Sequence, residues 1–144
     1  MEELTRKDRT YFNIAREVAR SSDFPKIQIG CVAVYQHKII STGFNSNKTH
    51  PRQKEYNKYR FPVDAPGSNH TCHAELSCLV PLMSRHDIDF RYVSLYVYRE
   101  YSNGQLAIAR PCESCYKLIK DLGIRNIYYT TQSGYSHEII LEER

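Results

Sequence analysis

Two short segments of the chain carry side chains that bind metals, and one of them adds a carboxylate that can move protons. Residues 73–75 are His-Ala-Glu, and residues 111–115 are Pro-Cys-Glu-Ser-Cys. Cys112 and Cys115 are three residues apart, so on the first turn of a helix their sulfurs point the same way. With His73 they supply one nitrogen and two sulfur ligands for zinc, which leaves a fourth tetrahedral position for water. This ligand set is typical of a catalytic site, because structural zinc sites normally have four protein ligands.

Glu75 follows His73 by two residues and is not needed as a metal ligand. We predict that it takes a proton from a zinc-activated water and delivers it to the substrate. A closed, partly apolar pocket would raise its pKa and so suit it to this role. The alternative is that Cys112 and Cys115 form a redox pair or half of a structural zinc site, with His73 and Glu75 as surface residues. Finding both segments in one chain favours the catalytic interpretation.

Both segments fall at predicted helix starts, where the partial positive charge of the helix favours thiolate over thiol. Hydrophobic periodicity predicts a first helix over residues 4–20, and the apolar run 27–34 predicts a strand buried on both faces. The later elements are a strand at 39–44, a helix at 73–85 kinked or shortened by Pro81, a strand at 92–98, a helix at 111–122 capped by Gly123, a strand at 124–131 and a short strand at 136–141. This order predicts an α/β protein with a mixed sheet and helices packed on its faces.

The segment from residue 45 to 69 is polar and contains three of the six prolines. Connections of this length are uncommon inside compact domains and are usually functional. Cations and aromatic residues alternate along it: Lys48, Arg52, Lys54, Tyr56, Lys58, Tyr59, Arg60 and Phe61. Such a pattern suits a nucleotide phosphate with its base, or a single strand of nucleic acid. It is equally typical of a solvated loop whose aromatic residues pack on the domain.

The length of 144 residues, with 41% hydrophobic and 25% charged residues, predicts one compact domain spanning residues 1–144. No apolar run approaches the roughly 18 residues of a membrane span, and the first residues lack the apolar core of a signal peptide. We therefore expect a cytoplasmic protein with no membrane partner. Five cysteines in a reducing compartment indicate metal or redox chemistry before disulfides. The formal net charge of +4 fits a phosphorylated substrate or an RNA, but does not require either.

With these motifs the chain resembles the cytidine/deoxycytidylate deaminase superfamily, and the deoxycytidylate deaminases most closely. Residues 29–34 look like the family's first strand, and residues 42–45 look like its Gly-aromatic-Asn stretch. Residues 111–124 look like its second metal-binding helix and the start of the next strand. The resemblance implies a three-layer α/β/α fold, cytidine-deaminase-like, in which helices flank a central mixed five-stranded sheet.

The resemblance also implies His73, Cys112 and Cys115 as ligands of one catalytic zinc and Glu75 as the general acid/base. It implies hydrolytic deamination of a cytosine nucleotide or nucleoside with release of ammonia, dCMP to dUMP being the first choice. One alternative is a polynucleotide deaminase that acts on cytosine or adenine in tRNA or single-stranded DNA. Another is a non-catalytic, zinc-stabilised nucleotide-binding module, which would have no use for Glu75. The family further suggests a homo-oligomer.

Substrate contacts follow less directly from the resemblance. Asn45 would contact the base or the sugar, unless it is a turn residue after its strand. Ala74, Arg110 and Pro111 border the metal-binding residues and are further candidates for substrate binding.

The long connection before residue 73 favours deoxycytidylate deaminases over tRNA adenosine deaminases, and two departures from the deoxycytidylate pattern bear on the substrate. Residues 76–78 are Leu-Ser-Cys where an Asn-Ala pair is usual, and residues 99–110 separate the third strand from the Pro-Cys motif. His50, His70 and Cys72 are extra metal-ligating residues, and a second, structural zinc on them is the lesser alternative to their binding nothing.

Overall fold

The computed structural model of the chain describes residues 4–24, 26–59 and 71–140, which form a sheet with helices on both faces. Its elements, in chain order, are α1 (Arg6–Ala19), β1 (Ile27–Tyr35), β2 (Lys38–Phe44), α2 (Pro51–Asn57), α3 (Ala74–Leu79), β3 (Ser94–Tyr101), α4 (Glu113–Leu122), β4 (Asn126–Thr131) and β5 (Gly134–Ile139). Among these residues no helix is long and apolar enough to cross a bilayer.

The five strands form one mixed sheet in the order β2-β1-β3-β4-β5. Neighbouring strands are antiparallel except for β3 and β4, which are parallel. A parallel pair needs a crossover connection, and α4 supplies it. The α/β prediction and the mixed five-stranded sheet are confirmed.

β1 is buried on both faces, as its apolar run predicts, and its alternate residues belong to two different cores. Val32 packs with Phe12 of α1 on one face of the sheet. Cys31 packs on the other face with side chains of α3 and α4, including Leu76 and Leu118. The two helices that begin next to the metal-binding residues therefore share one face of the sheet, and α1 covers the opposite face.

The ends of three helices are explained by individual residues that cap or interrupt them. α1 begins at a capping box, in which the Asp8 amide donates to Thr5 Oγ1 and the Thr5 amide donates to Asp8 Oδ2, both at 3.0 Å. α3 ends at Leu79, earlier than predicted, and a 3-10 turn at Val80–Leu82 follows because Pro81 cannot continue an α-helical hydrogen-bond ladder. α4 ends at Gly123 with φ of +96°, as predicted.

The structure also differs from the sequence prediction in the connection at 45–69, at the end of β3 and in β5, which spans Gly134–Ile139 and not 136–141. The connection at 45–69 contains α2, whose inward-facing residues Gln53 and Asn57 are polar and so leave no apolar periodicity. β3 begins at Ser94 and runs to Tyr101, then reverses through a turn so that the Ala107 amide donates to the Arg99 carbonyl. The extra residues before the Pro-Cys motif therefore form a small hairpin at the end of β3.

Gly43 of β2 allows α3 to lie directly on the sheet. A Cβ at this position would be 2.6 Å from the Ala74 carbonyl oxygen and closer still to the Cys78 backbone nitrogen. We expect Gly43→Ala to lower the free energy of unfolding by about 1–3 kcal/mol, because backbone atoms of α3 must move. Urea unfolding measures this, with the exposed neighbour Thr42→Ala as control. Equal stability of both variants would contradict the close approach.

Candidate active site

The N-terminal ends of α3 and α4 bring together the predicted metal ligands. His73 is the N-cap residue of α3 and Cys112 is the N-cap residue of α4. Cys115 lies in the first turn of α4 and is buried. Because both helices pack on the same face of the sheet, their first residues meet, although the two segments are far apart in the sequence.

The geometry of these three residues fits a tetrahedral zinc ion. His73 Nδ1 lies 3.5 Å from Cys112 Sγ and 3.3 Å from Cys115 Sγ. All three ligating atoms lie within 4.8 Å of one another. Bonds of about 2.0–2.1 Å to nitrogen and about 2.3 Å to sulfur place neighbouring ligand atoms roughly 3.6 Å apart in a tetrahedron. The observed distances are close to this value, so only small adjustments are needed to hold the ion.

The two thiols differ strongly in acidity. A hydrogen bond from Cys115, assisted by His73 and Ser114, lowers the pKa of Cys112 to about 3. The same hydrogen bond, together with burial, raises the pKa of Cys115. Cys112 is therefore a thiolate at neutral pH, and a cation that binds here takes the place of the Cys115 proton.

Glu75 lies in the first turn of α3 and is only 5% exposed. Burial raises the pKa of its carboxyl group, and the neighbouring His73 opposes this shift. A raised pKa makes the carboxylate a better proton acceptor, which fits the predicted role of Glu75 as a proton carrier.

A cavity of about 340 Å³ opens next to these residues. His73, Glu75 and Cys112 form its polar wall, and apolar side chains that include Phe24 and Ile29 line much of the remainder. A larger cavity, about 510 Å³, lies on the α1 face of the sheet, away from the metal-binding residues. The smaller cavity is therefore the candidate active site, because its lining includes His73, Glu75 and Cys112.

Asn45 lines this cavity, but its side-chain amide also holds the start of β1. Its Oδ1 accepts from the Ile29 amide at 2.9 Å, and its Nδ2 donates to the Ile27 carbonyl at 3.1 Å. These bonds give Asn45 a structural role, in which it joins the end of β2 to the start of β1. A contact between Asn45 and the substrate stays a prediction.

The other predicted substrate-binding residues differ in position. Arg110 lines the cavity, but its guanidinium makes two hydrogen bonds of 2.9 Å to the Glu138 carboxylate. Ala74 and Pro111 are buried and do not line the cavity. Their contacts with a substrate stay predictions, and the pairing of Arg110 makes it the least free of the cations near the cavity.

Arg99 is a cavity-lining cation that the sequence analysis missed. Its Nη1 donates to the Ile108 carbonyl at 3.2 Å, and its buried Nε has no hydrogen-bond partner among the described residues. No carboxylate of those residues forms an ion pair with it. The sequence signal was an arginine directly after the apolar run of β3, where it stands opposite Ile29 of β1.

The remaining metal-ligating candidates are not brought together. His50 Nδ1 accepts from the Arg52 amide as an N-terminal cap of α2, and the Cys72 thiol contacts the His73 carbonyl oxygen. His70 lies outside the described residues. Within those residues, His73, Cys112 and Cys115 are the one group of three or more ligands that could hold an ion. All five cysteines are free thiols, so the structure shows no Cys112–Cys115 disulfide.

The basic and aromatic residues of the connection pack partly on α4. Tyr56 donates to Asp121, and the ammonium groups of Lys58 and Lys117 lie over the Tyr59 ring at 5.3 Å and 5.4 Å. The packing alternative fits Tyr56, whereas Tyr59 is 43% exposed and both alternatives remain for it. Arg60 and Phe61 lie outside the described residues.

The molecule is thus an α/β protein in which a His-Cys-Cys group that could hold a metal ion lies beside a buried glutamate in a cavity. The family model of the cytidine and deoxycytidylate deaminase zinc-binding region matches residues 5–131. The chain belongs to this family. A comparison with curated protein sequences finds no match.

Solved structures of other members share the fold. The apo dCMP deaminase of the cyanophage S-TIM5 is 20% identical with a TM-score of 0.60, the match covering 90% of this chain and 86% of that one. A second structure of that enzyme, in complex with dCMP and dUMP, is 18% identical with a TM-score of 0.60 and covers 90% and 85%. The cytidine deaminase of Burkholderia pseudomallei is 13% identical with a TM-score of 0.61 and covers 94% and 93%.

Proposed function

We propose that the protein is a zinc-dependent enzyme that hydrolyses the 4-amino group of a cytosine nucleotide, with dCMP as the first choice and dUMP and ammonia as products. The observation that carries this proposal is the meeting of His73, Cys112 and Cys115 beside the buried carboxyl group of Glu75 in one cavity. Family membership supports the same reaction class.

Each residue of the centre has one task in this reaction. His73, Cys112 and Cys115 hold the zinc ion, which when bound lowers the pKa of a water at its open position to about 7. Glu75 accepts a proton from the attacking water as the new C4–O bond forms. It donates this proton to the ring nitrogen N3. It then takes the remaining proton from the new C4 hydroxyl as the C4=O bond forms, and passes it to the amine as the C4–N bond breaks and ammonia leaves. The apolar wall with Phe24 and Ile29 keeps bulk water away from the base.

A phosphorylated substrate is favoured over a nucleoside because Arg99 places a guanidinium in the same cavity and forms no ion pair with the described carboxylates. Arginine binds phosphate through charge-assisted hydrogen bonds. Arg110 is engaged by Glu138, so Arg99 is the better candidate for the 5′-phosphate. The S-TIM5 enzyme, whose fold this chain shares, was solved in complex with dCMP and dUMP.

We expect Arg99→Gln to lower kcat/KM for dCMP by about 10–100-fold, which corresponds to roughly 1.5–3 kcal/mol for a hydrogen bond to a charged group. Turnover of deoxycytidine, which has no phosphate, should change little. Steady-state kinetics with both substrates measure the difference, and Arg91→Gln, which alters an exposed arginine paired with Asp89, is the control. An equal loss with both substrates would assign Arg99 a structural role.

Polynucleotide deamination is the second candidate, favoured by a hollow beside the active site. Arg110 lines both cavities, and Tyr59, Tyr116, Lys117 and Lys120 contribute to the second one. Aromatic and cationic side chains in this arrangement can stack bases and contact phosphates of a single strand.

Ammonia release from five substrates tests the proposal and its alternatives. The zinc-loaded protein is incubated with dCMP, CMP, deoxycytidine, cytidine and a single-stranded oligonucleotide. Preference for dCMP supports the proposal. Turnover of the oligonucleotide alone, with a rate that falls steeply as salt rises, would replace it with the second candidate. Zinc binding without any ammonia release would indicate a non-catalytic module.

A further inference from the structure

Gln53 is a fully buried polar residue in a part of the chain to which the proposed chemistry assigns no role. It lies in α2, inside the polar connection at 45–69, and its exposed fraction is 0%. Burying an amide is unfavourable unless it is hydrogen-bonded, so its partners indicate why it is there.

The two ends of the Gln53 amide contact both halves of the metal centre. Its Oε1 accepts from the backbone amide of His73 at 3.1 Å. Its Nε2 donates to Asn57 Oδ1 at 2.8 Å and to Ser114 Oγ at 3.4 Å. One side chain thus connects the residue before α3 with the first turn of α4.

The hydrogen bonds also fix the direction in which the Ser114 hydroxyl points. The amide nitrogen of Gln53 can only donate, so Ser114 Oγ is the acceptor in their contact. The hydroxyl proton is then free to be donated to Cys112 Sγ, which lies 3.0 Å away. A polar chain therefore runs from the His73 amide through Gln53 and Ser114 to the Cys112 sulfur.

We propose that Gln53 is a positioning residue of the zinc site. It fixes the distance between His73 and Cys112 through contacts to both helix starts, and it orients Ser114 as a hydrogen-bond donor to the Cys112 sulfur. The inference rests on the proposed function only in that the three ligands bind zinc, and it does not depend on which substrate is used. It also gives α2 a task, because that helix supplies the amide that joins the two ligand segments.

Some residues hydrogen-bond to metal ligands without binding the ion themselves. Their replacement typically lowers metal affinity by about 10–100-fold. We expect Gln53→Met, which keeps the volume but makes no hydrogen bonds, to weaken zinc binding by about this factor. Competition with a chromophoric chelator measures the affinity. The visible absorption bands of the Co²⁺-substituted protein should also change in position or intensity, because the ligand arrangement around the ion changes.

The matched control is Gln28→Met, which alters a partly buried glutamine that donates to the Ser22 carbonyl and does not contact the ligand segments. Ser114→Ala tests the second half of the chain and should weaken zinc binding in the same direction. If the two residues act through one path, the loss in Gln53→Met/Ser114→Ala is smaller than the sum of the single losses.

Unchanged zinc affinity and an unchanged Co²⁺ spectrum in folded Gln53→Met would overturn the proposal. If that variant does not fold, Ser114→Ala decides, and wild-type zinc affinity in it would overturn the proposed path to Cys112. Wild-type protein that binds zinc but releases no ammonia would remove the deaminase proposal and leave this one standing. If wild type binds zinc tightly and turns over substrate, and Gln53→Met has no effect on zinc binding, only the proposal for Gln53 is overturned.

Discussion

Glu75→Gln lowers the rate of ammonia release by at least about 10³-fold, while the protein keeps its zinc. General acid/base groups contribute roughly 10²–10⁴-fold to a rate, and this one carboxyl group serves both proton transfers of the proposed reaction. Glutamine has nearly the same shape but cannot take up a proton, so the buried site stays filled. Because Glu75 is not a ligand, we expect one zinc per chain by metal analysis of the variant.

The control for this prediction is Glu17→Gln, which replaces an exposed glutamate of α1 on the opposite face of the sheet. It should leave both zinc content and turnover unchanged. Activity retained in Glu75→Gln would show that another group carries the protons. Loss of zinc from Glu75→Gln would instead make Glu75 part of the metal-binding set.

The metal centre could be predicted from the sequence because its information is local. Cys112 and Cys115 lie on one helical turn, and His73 and Glu75 lie on another, so each pair is positioned by its own helix start. The meeting of the two helix starts needed the fold. The predicted order of strands and helices placed helices on the faces of a sheet without saying which face each one covers, and the structure puts α3 and α4 on the same face.

The place of Arg99 in the cavity could not be predicted, because it depends on how the sheet packs. A charged residue at the end of a strand is typical of a solvent-facing position, and only the folded sheet shows that Arg99 lines the cavity. Arg110 shows the reverse case. It was a candidate because it directly precedes the Pro-Cys motif. In the structure, its guanidinium forms an ion pair with Glu138 of β5, which is distant in the sequence.

α2 was missed for a related reason. Sequence patterns detect helices through apolar periodicity, and the buried positions of α2 are Gln53 and Asn57. Pro51 at the first helical position was the available signal. The helix is oriented by hydrogen bonds to the metal centre and not by an apolar stripe, so its role became visible only with the contacts.

Cys115→Ala removes one of the three protein ligands, and we expect zinc affinity to fall by more than the roughly 10–100-fold typical of supporting residues. Two ligands on two different elements cannot hold the ion with comparable strength, and Cys115 is buried so that no nearby exposed group replaces it. Chelator competition and metal analysis measure the loss. Deaminase activity should disappear with the ion.

Cys78→Ala is the matched control, because Cys78 is equally buried in the core and is not one of the three grouped ligands. It should cost some stability by leaving a small cavity, while zinc stoichiometry stays the same.

Cys115→Ala and Cys78→Ala also distinguish a loss of zinc binding from a loss of folding stability. Zinc that binds only the folded protein raises the free energy of unfolding by about 2.7 kcal/mol when its free concentration is 100 times Kd. Wild type and Cys78→Ala should both show this gain in urea unfolding, and Cys115→Ala should not. An equal gain in Cys115→Ala would mean that the ion binds elsewhere in the chain, and the assignment of His73, Cys112 and Cys115 would then be wrong.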